Sequence, residues 1–255
     1  MGKNIEWNLE KQICSFLEVD IVKIRIDKWV SDSSEYSRKE VKNFFKYNKI
    51  KLNGEVVKKS GLIVDTDDDI VSLFGKEMIY EEKVYIMLNK PSGYISSTIV
   101  EGEKTIMELL DLKYQRRLFP IGRLDKDTEG LILLTNDGRY SHQLTQPNKK
   151  VSKIYYVEVD NALEDKFIDS FLNGVDIGDY FTKPAVLKII DETTCTLEIQ
   201  EGKFHQVKRM FKAVGCEVTY LKRIQIGKLE LDKKLKNGEY RKLNKEEIEK
   251  TLTED

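Results

Sequence analysis

The sequence predicts an α+β chain in two parts, a small basic module of two helices and a hairpin followed by a larger, largely antiparallel mixed sheet with helices packed on it. Three observations carry this expectation. Between residues 26 and 49 apolar side chains recur at helical spacing while cations occupy another face. Gly61, the acidic run Asp65 to Asp69, Gly75 and the polar stretch Glu81 to Lys83 then interrupt the pattern. Beyond them, short apolar segments of strand length outnumber helical ones. The expected layout is a first domain at residues 24–75, a linker at 76–82 and a second domain at 83–255, with residues 1–23 an extension to which no role is assigned.

Ile26, Trp29 and Val30 stand at i, i+3 and i+4, which places them on one face of a first helix. Ser37 and Glu40 form a capping box for a second helix. Its apolar seam is Val41, Phe44 and Phe45, and its basic stripe is Arg38, Lys42, Lys46 and Lys49. Ile50-Lys51-Leu52 and Glu55-Val56-Val57 alternate around Asn53-Gly54, the dipeptide best suited to positive φ at both turn positions, so a β-hairpin follows. Strands are expected at Val84 to Leu88, Leu131 to Leu134, Ile154 to Val159, Ala185 to Ile190, Cys195 to Ile199 and Lys228 to Leu231. Helices are expected at Ala162 to Leu172 and Gln206 to Val214, with a short charged helix at Asn244 to Leu252.

The 255 residues carry 43 Lys and Arg against 44 Asp and Glu, a formal charge of −1, and 40% are hydrophobic: a globular composition with enough chain to bury a core. The near-neutral total conceals an uneven distribution, since residues 23–59 hold eleven Lys and Arg against five Asp and Glu. The longest apolar run, Val84 to Leu88, is far below the roughly 18 residues of a bilayer span. The first residues lack the basic start, apolar stretch and cleavage site of a secretory signal, and the reading is a cytoplasmic protein. Three dispersed cysteines, Cys14, Cys195 and Cys216, fit buried thiols better than a disulfide framework. With only His142 and His205 beside them, zinc is not expected. Asp65, Asp67 and Asp69 imitate the start of a calcium loop, but Ile70 stands where the turn glycine belongs and Lys76 where the bidentate Glu belongs. Neither a phosphate-cradling P-loop nor a dinucleotide fingerprint occurs. No metal, no cofactor and no membrane partner is expected, and the chain is expected to be monomeric.

The densest chemistry lies in four segments. Ile121 to Gly138, IGRLDKDTEGLILLTNDG, is a polar loop leading into an apolar strand and a turn. Read alone, Asp125 is a turn or capping residue more readily than a catalytic one. The string nevertheless resembles, nearly letter for letter, the G-R-L-D-x-x-T-x-G-L-L-L-L-T-N-D-G signature of the pseudouridine synthases. Asn89 to Tyr94 (NKPSGY) is similar to that family's early K-P-x-G motif, Lys153-Ile154-Tyr155 to its K-x-Y motif, and Glu201 to Met210 (EGKFHQVKRM) to its late E-G-x-x-H-Q-V-[KR]-R-M motif. With Thr182 to Ala185 and Gly238 to Arg241, the resemblance covers about residues 24–250 and is nearest the RsuA-like branch, the ribosomal small-subunit pseudouridine synthases. Residues 25–57 further resemble the α-L RNA-binding module first described in a ribosomal small-subunit protein.

The resemblance implies an isomerase that converts one uridine of small-subunit (16S) rRNA to pseudouridine. The alternatives are the same reaction on large-subunit (23S) rRNA, or a non-catalytic rRNA-binding assembly factor. Asp125 is implied to be catalytic, by attack on the anomeric carbon or by removal of a neighbouring ribose proton. Either route requires an ionised carboxylate with a cation beside it; Lys208 is the implied partner and Arg209 the fallback. Tyr155 is implied to stack on the target uracil and to handle the carbon 5 proton, and Arg123 to grip a phosphate or hold the flipped-out site open. Implied RNA contacts are Arg123, Arg209 and Lys203, with Lys212, Lys222 and Arg223 in support, and Arg25, Lys28, Arg38, Lys39, Lys42 and Lys46 in the first module. They would neutralise phosphates and confer affinity more than sequence choice. Asp127 and Asp137 rank below Asp125, and His205 and His142 read as structural residues.

Overall fold

The computed structural model describes residues 23–146 and 149–252. Cys14 and residues 1–22 of the expected extension lie outside the described residues. The chain divides into two compact units: residues 23–83 together with Asp111–Arg117, and residues 84–110 together with those from Leu118 onward.

In the first unit a strand β1 (Lys23–Arg25) leads into α1 (Ile26–Asp32) and α2 (Arg38–Lys46). The helices form where the apolar spacing places them. Ile26, Trp29 and Val30 are buried with Val41, Phe45 and Ile50 in one core, and Ser37 and Glu40 complete both halves of the capping box. The hairpin follows as β2 (Ile50–Leu52) and β3 (Glu55–Val56), with Asn53 at φ 50° and Gly54 at φ 86°. The strands β4 (Ile63–Asp65), β5 (Val71–Leu73) and β6 (Lys76–Glu77) complete the unit; β4 pairs with β1, and the order of the other sheet is β3-β2-β5-β6. The acidic turn is structural: Asp69 Oδ2 accepts from the Asp65 amide at 2.8 Å and Oδ1 from Asn53 Nδ2 at 2.8 Å, tying the turn to the hairpin.

Two boundaries are corrected in this unit, and one cation expected to contact RNA already has a carboxylate partner. Residues 76–78 do not begin a linker, because β6 pairs with β5, Met78 N donates to Val71 O, and Trp29 Nε1 donates to Met78 O at 3.0 Å. The segment Asp111–Arg117, containing α3 (Leu112–Gln115), joins this unit although its sequence falls inside the expected second domain. Arg117 donates to the carbonyls of Asp32, Glu81 and Glu82, and Arg116 to that of Glu35. Arg25, expected to meet phosphate, is held in a two-point ion pair by Asp27, at 3.0 and 2.7 Å. Arg38, Lys39, Lys42 and Lys46 remain exposed, and Lys28 is half-buried.

The second unit is built on one nine-stranded sheet. Its strands are β7 (Tyr85–Lys90), β8 (Phe119–Ile121), β9 (Glu129–Thr135), β10 (Lys153–Val159), β11 (Val186–Ile189), β12 (Thr194–Ile199), β13 (Val218–Ile226), β14 (Leu229–Glu230) and β15 (Tyr240–Lys242). The order is β11-β12-β10-β13-β9-β7-β15, with β8 on β9 and β14 on β13; β9 and β13 run parallel and the other pairs antiparallel. The helices are α4 (Gly138–Thr145), α5 (Lys166–Asn173), α6 (Gln206–Ala213) and α7 (Lys245–Leu252). Phe171 of α5 meets Phe211 of α6 edge to face, centroids 5.1 Å apart. The helix expected from Ala162 begins at Lys166, because the Leu163 amide is engaged by Glu192 O and the first turn closes on the carbonyls of Glu164 and Asp165.

The strand β13 was not expected from sequence, since Lys222, Arg223 and Gln225 break its apolar pattern. It is nevertheless central, pairing with β10, β9 and β14. Its approach to β9 depends on Gly130, at φ +97°, where a Cβ would collide with the carbonyl of Arg223. No helix among the described residues is long and apolar enough to cross a membrane.

Candidate active site

Asp125 sits in the loop between β8 and β9, and the chain fixes that loop from one side. Ser96 Oγ accepts from the Leu124 amide at 3.0 Å and donates to the Leu124 carbonyl at 2.9 Å. The Gly93 amide donates to Lys126 O at 2.8 Å. Lys90, fully buried, donates from Nζ to the carbonyls of Pro91, Lys126 and Thr128 at 3.2, 3.1 and 2.7 Å. Burial pushes this ammonium down to about 8, with Asp127, Glu129 and Asp125 partly countering it. Leu124 is buried beneath the loop, while Asp125 stays 27% exposed at the side chain.

The loop faces the turn entering α6. There Gln206 locks the backbone: its Oε1 accepts from the Lys203 amide at 2.9 Å and its Nε2 donates to Glu201 at 2.8 Å. His205 caps α6 in the left-handed region at φ 49° and stacks on Phe204 at a centroid distance of 3.8 Å. Its Nε2 lies 3.6 Å from Asp125 Oδ1, and Lys208 Nζ lies 3.7 Å from Asp125 Oδ2. One oxygen of the carboxylate thus faces an imidazole and the other an ammonium. Asp125 and His205 line a cavity of about 610 Å³, together with Arg123, Tyr155 and Lys203.

Several expected residues therefore meet, with corrections. Lys208 is a shared cation, since it reaches Asp127 Oδ1 at 2.5 Å, closer than Asp125. Burial raises the Asp127 carboxyl, but the hydrogen bond and charge of Lys208 outweigh this and hold it below its usual range. Arg209 does not turn to Asp125: its guanidinium pairs with Asp179 and donates to Ile177 O and Phe204 O, which leaves little of its charge for phosphate. His205, read as a turn residue, occupies that turn and also borders the carboxylate. Arg223 is buried, not a surface cation. Tyr155 is 8% exposed in β10 and borders the cavity, while Tyr156 points to the other face and meets Tyr220. Asp137 caps α4 and accepts from Tyr85 OH, away from Asp125. Lys90 was missed as a loop anchor: its motif names the residue, but three acceptors remote or adjacent in sequence have no sequence signature. Among the described residues no cluster of His, Cys, Asp and Glu fits a metal ion.

A carboxylate flanked by a cation and an imidazole, beside a tyrosine in a nucleoside-sized cavity, suits attack or proton abstraction at a sugar. A family profile described as RNA pseudouridylate synthase matches residues 84–213. The chain is 43% identical over 231 residues to an uncharacterized RNA pseudouridine synthase of Bacillus subtilis, covering 88% of this chain and 97% of that protein. It is 38% identical over 228 residues to ribosomal small subunit pseudouridine synthase A of Escherichia coli K12, covering 88% and 98%. The corresponding protein of Haemophilus influenzae is 38% identical over 233 residues, covering 90% and 100%. A solved structure described as the crystal structure of pseudouridylate synthase superposes with a TM-score of 0.64 at 36% identity, covering 90% of this chain and all of that one.

Proposed function

We propose, from the premise that this chain belongs to the RNA pseudouridylate synthase family and isomerises uridine in RNA, that its substrate is one uridine of small-subunit ribosomal RNA and that Asp125 is its reacting carboxylate. The observation that carries the second part is the Asp125 carboxylate, one-quarter exposed in its cavity, with Lys208 and His205 within 4 Å of its two oxygens. The small-subunit assignment is supported by relatives named ribosomal small subunit pseudouridine synthase A.

The reaction breaks the bond from the ribose anomeric carbon to base nitrogen 1, turns the base, and joins that carbon to base carbon 5, whose proton is released. Asp125 as a carboxylate starts it, by bonding to the anomeric carbon or by taking a neighbouring ribose proton. Lys208 and His205 flank its two oxygens and hold it in position. Tyr155, in the cavity wall, supports the turned base and relays the carbon 5 proton to water, its hydroxyl giving up its own proton as it takes the new one. A uridine reaches the cavity only when out of its stack, at a cost of a few kcal/mol. The exposed cations Arg123 and Lys203, and the stripe Arg38, Lys39, Lys42 and Lys46 on the first unit, offset that cost by holding phosphates. The protein acts as a monomer in the cytoplasm, where ribosomal subunits assemble.

The test uses small-subunit rRNA carrying tritium at uridine carbon 5, naked or with ribosomal proteins bound. Release by the unmodified protein and none by Asp125→Asn, with RNA binding kept, is expected. Release only from large-subunit rRNA would move the substrate, and no release from either would leave a binding protein.

A further inference from the structure

Beside the Asp125 cavity lies a second, of about 280 Å³, which shares Arg123, Tyr155 and Lys203 with it and adds Lys153, Lys183, Arg223 and Glu201. Five cations and one carboxylate line it. The carboxylate is occupied by neutral donors: Glu201 accepts from the Lys183 amide at 3.0 Å, Gln206 Nε2 at 2.8 Å and Tyr180 OH at 2.9 Å. Lys203 lies over the Tyr180 ring at 4.2 Å.

The two innermost cations are placed by the sheet. Lys153 and Tyr155 alternate onto one face of β10, and Tyr155 pairs across to Arg223 of β13. Arg223 is 5% exposed; its Nε donates to Leu131 O at 2.7 Å, and its Nη2 is buried with no acceptor among the described residues. Lys153, half-buried, donates to Val151 O at 2.6 Å. Burial, then Arg223, then Lys183 push its ammonium down to about 8, and the Glu201 carboxylate that lines the same pocket does not offset them. Two cations drawn together out of water without an anion are unfavourable unless an anion joins them.

We propose that this pocket binds a phosphodiester of the RNA next to the target uridine, held by Arg223 and Lys153 with Lys183 at its rim. A guanidinium edge and an ammonium suit the tetrahedral oxygens of that group. The phosphate then sets the position of the nucleotide before Asp125, so that binding away from the reacting carbon lowers the barrier at it. The inference rests on the reading that the Asp125 cavity receives the uridine, but its test does not require turnover.

Thermal unfolding is compared in chloride and in inorganic phosphate at equal ionic strength, for the unmodified protein, Asp125→Asn and Lys153→Met. Lys153→Gln is the second variant should Lys153→Met fold poorly. Phosphate is expected to raise the midpoint of the unmodified protein and of Asp125→Asn by mass action and to leave the Lys153 variants unshifted. Affinity for small- and large-subunit rRNA transcripts is then followed against salt. Loss of one phosphate contact lowers the slope of log K against log salt by about 0.7 to 0.9 and weakens binding about tenfold at 0.1 M. Equal phosphate shifts in all proteins, or none in the unmodified one, overturn the site. A shift lost in the Lys153 variants with an unchanged RNA salt slope reduces it to an inorganic-anion site only and overturns the RNA assignment. Failure of the Asp125 reading appears instead in tritium release and leaves the phosphate shifts untouched.

Discussion

Replacing Lys90 with Met separates folding from catalysis. The substitution removes the donor to the carbonyls of Lys126 and Thr128, on either side of Asp127. Lys126 O keeps the Gly93 amide, so the buried Thr128 carbonyl is the acceptor orphaned, at a cost of about 1–3 kcal/mol. Against this stands the burial of the ammonium. Its fall from 10.5 to about 8, at 1.36 kcal/mol per pKa unit, makes the charged form about 3 kcal/mol worse than the neutral one, and methionine escapes that term while filling similar space. The two nearly cancel, so urea unfolding at pH 7 should give a stability within about 2 kcal/mol of the unmodified protein. Turnover should fall about a hundredfold, because the Asp125 loop loses the anchors that keep the carboxylate within an ångström of its place. The pH dependence has a definite sign. Below pH 8 folded and unfolded Lys90 are both protonated and the burial term is constant. Between about 8 and 10.5 only the unfolded chain keeps the proton, so the stability of the unmodified protein rises relative to Lys90→Met. Unchanged turnover, or a loss above about 5 kcal/mol at pH 7, would refute this division of roles.

Lys208→Met should cut tritium release at least tenfold with RNA affinity nearly unchanged, whereas Asp127→Asn, which frees Lys208 for Asp125, should stay within a few-fold of normal. Asp127 is held below its usual range, so its contribution to stability is present above pH 3.8 and lost as pH falls through the lower folded value. That contribution is small, because its side chain is 68% exposed. Gly130→Ala should lose about 3 kcal/mol or more in urea titration or fail to fold, since it combines a φ of +97° with a collision at Arg223. Arg241 ties Asp232 and Glu247 together at 2.7 Å each. Arg241→Met should lower the urea midpoint by the equivalent of about 1 kcal/mol for the Glu247 pair. It should also flatten the acid limb of stability, because the Lys234 amide and then Arg241 hold Asp232 low, Arg241 holds Glu247 low, and the Arg241 share is lost as pH falls below about 4.

Local signals in the sequence were reliable wherever a few neighbouring residues decide the structure. The capping box at Ser37, the Asn53-Gly54 hairpin and the apolar cores of β7, β9, β10 and β12 depend on spacing within ten residues, and each formed. Tyr155 and Tyr156 separated onto opposite faces because strand alternation permits nothing else. The strand β13 escaped notice because its polar residues have distant partners, Tyr220 in Glu129 and the Arg223 Nε in Leu131 O. The helix at 166 began late for a similar reason, the Leu163 amide being taken by the distant Glu192 carbonyl.

What the sequence determined alone was the reaction class, through four ordered motifs, and the identity of Asp125, Tyr155 and Lys208 as the residues to examine. The tertiary structure decided which charges are free. It tied Arg25 to Asp27 and Arg209 to Asp179, divided Lys208 between Asp125 and Asp127, brought His205 to the carboxylate, and set Lys153 and Arg223 in the wall of one pocket. A cation's availability depends on which carboxylates and carbonyls lie within about 4 Å of it, and spacing along the chain does not encode that distance.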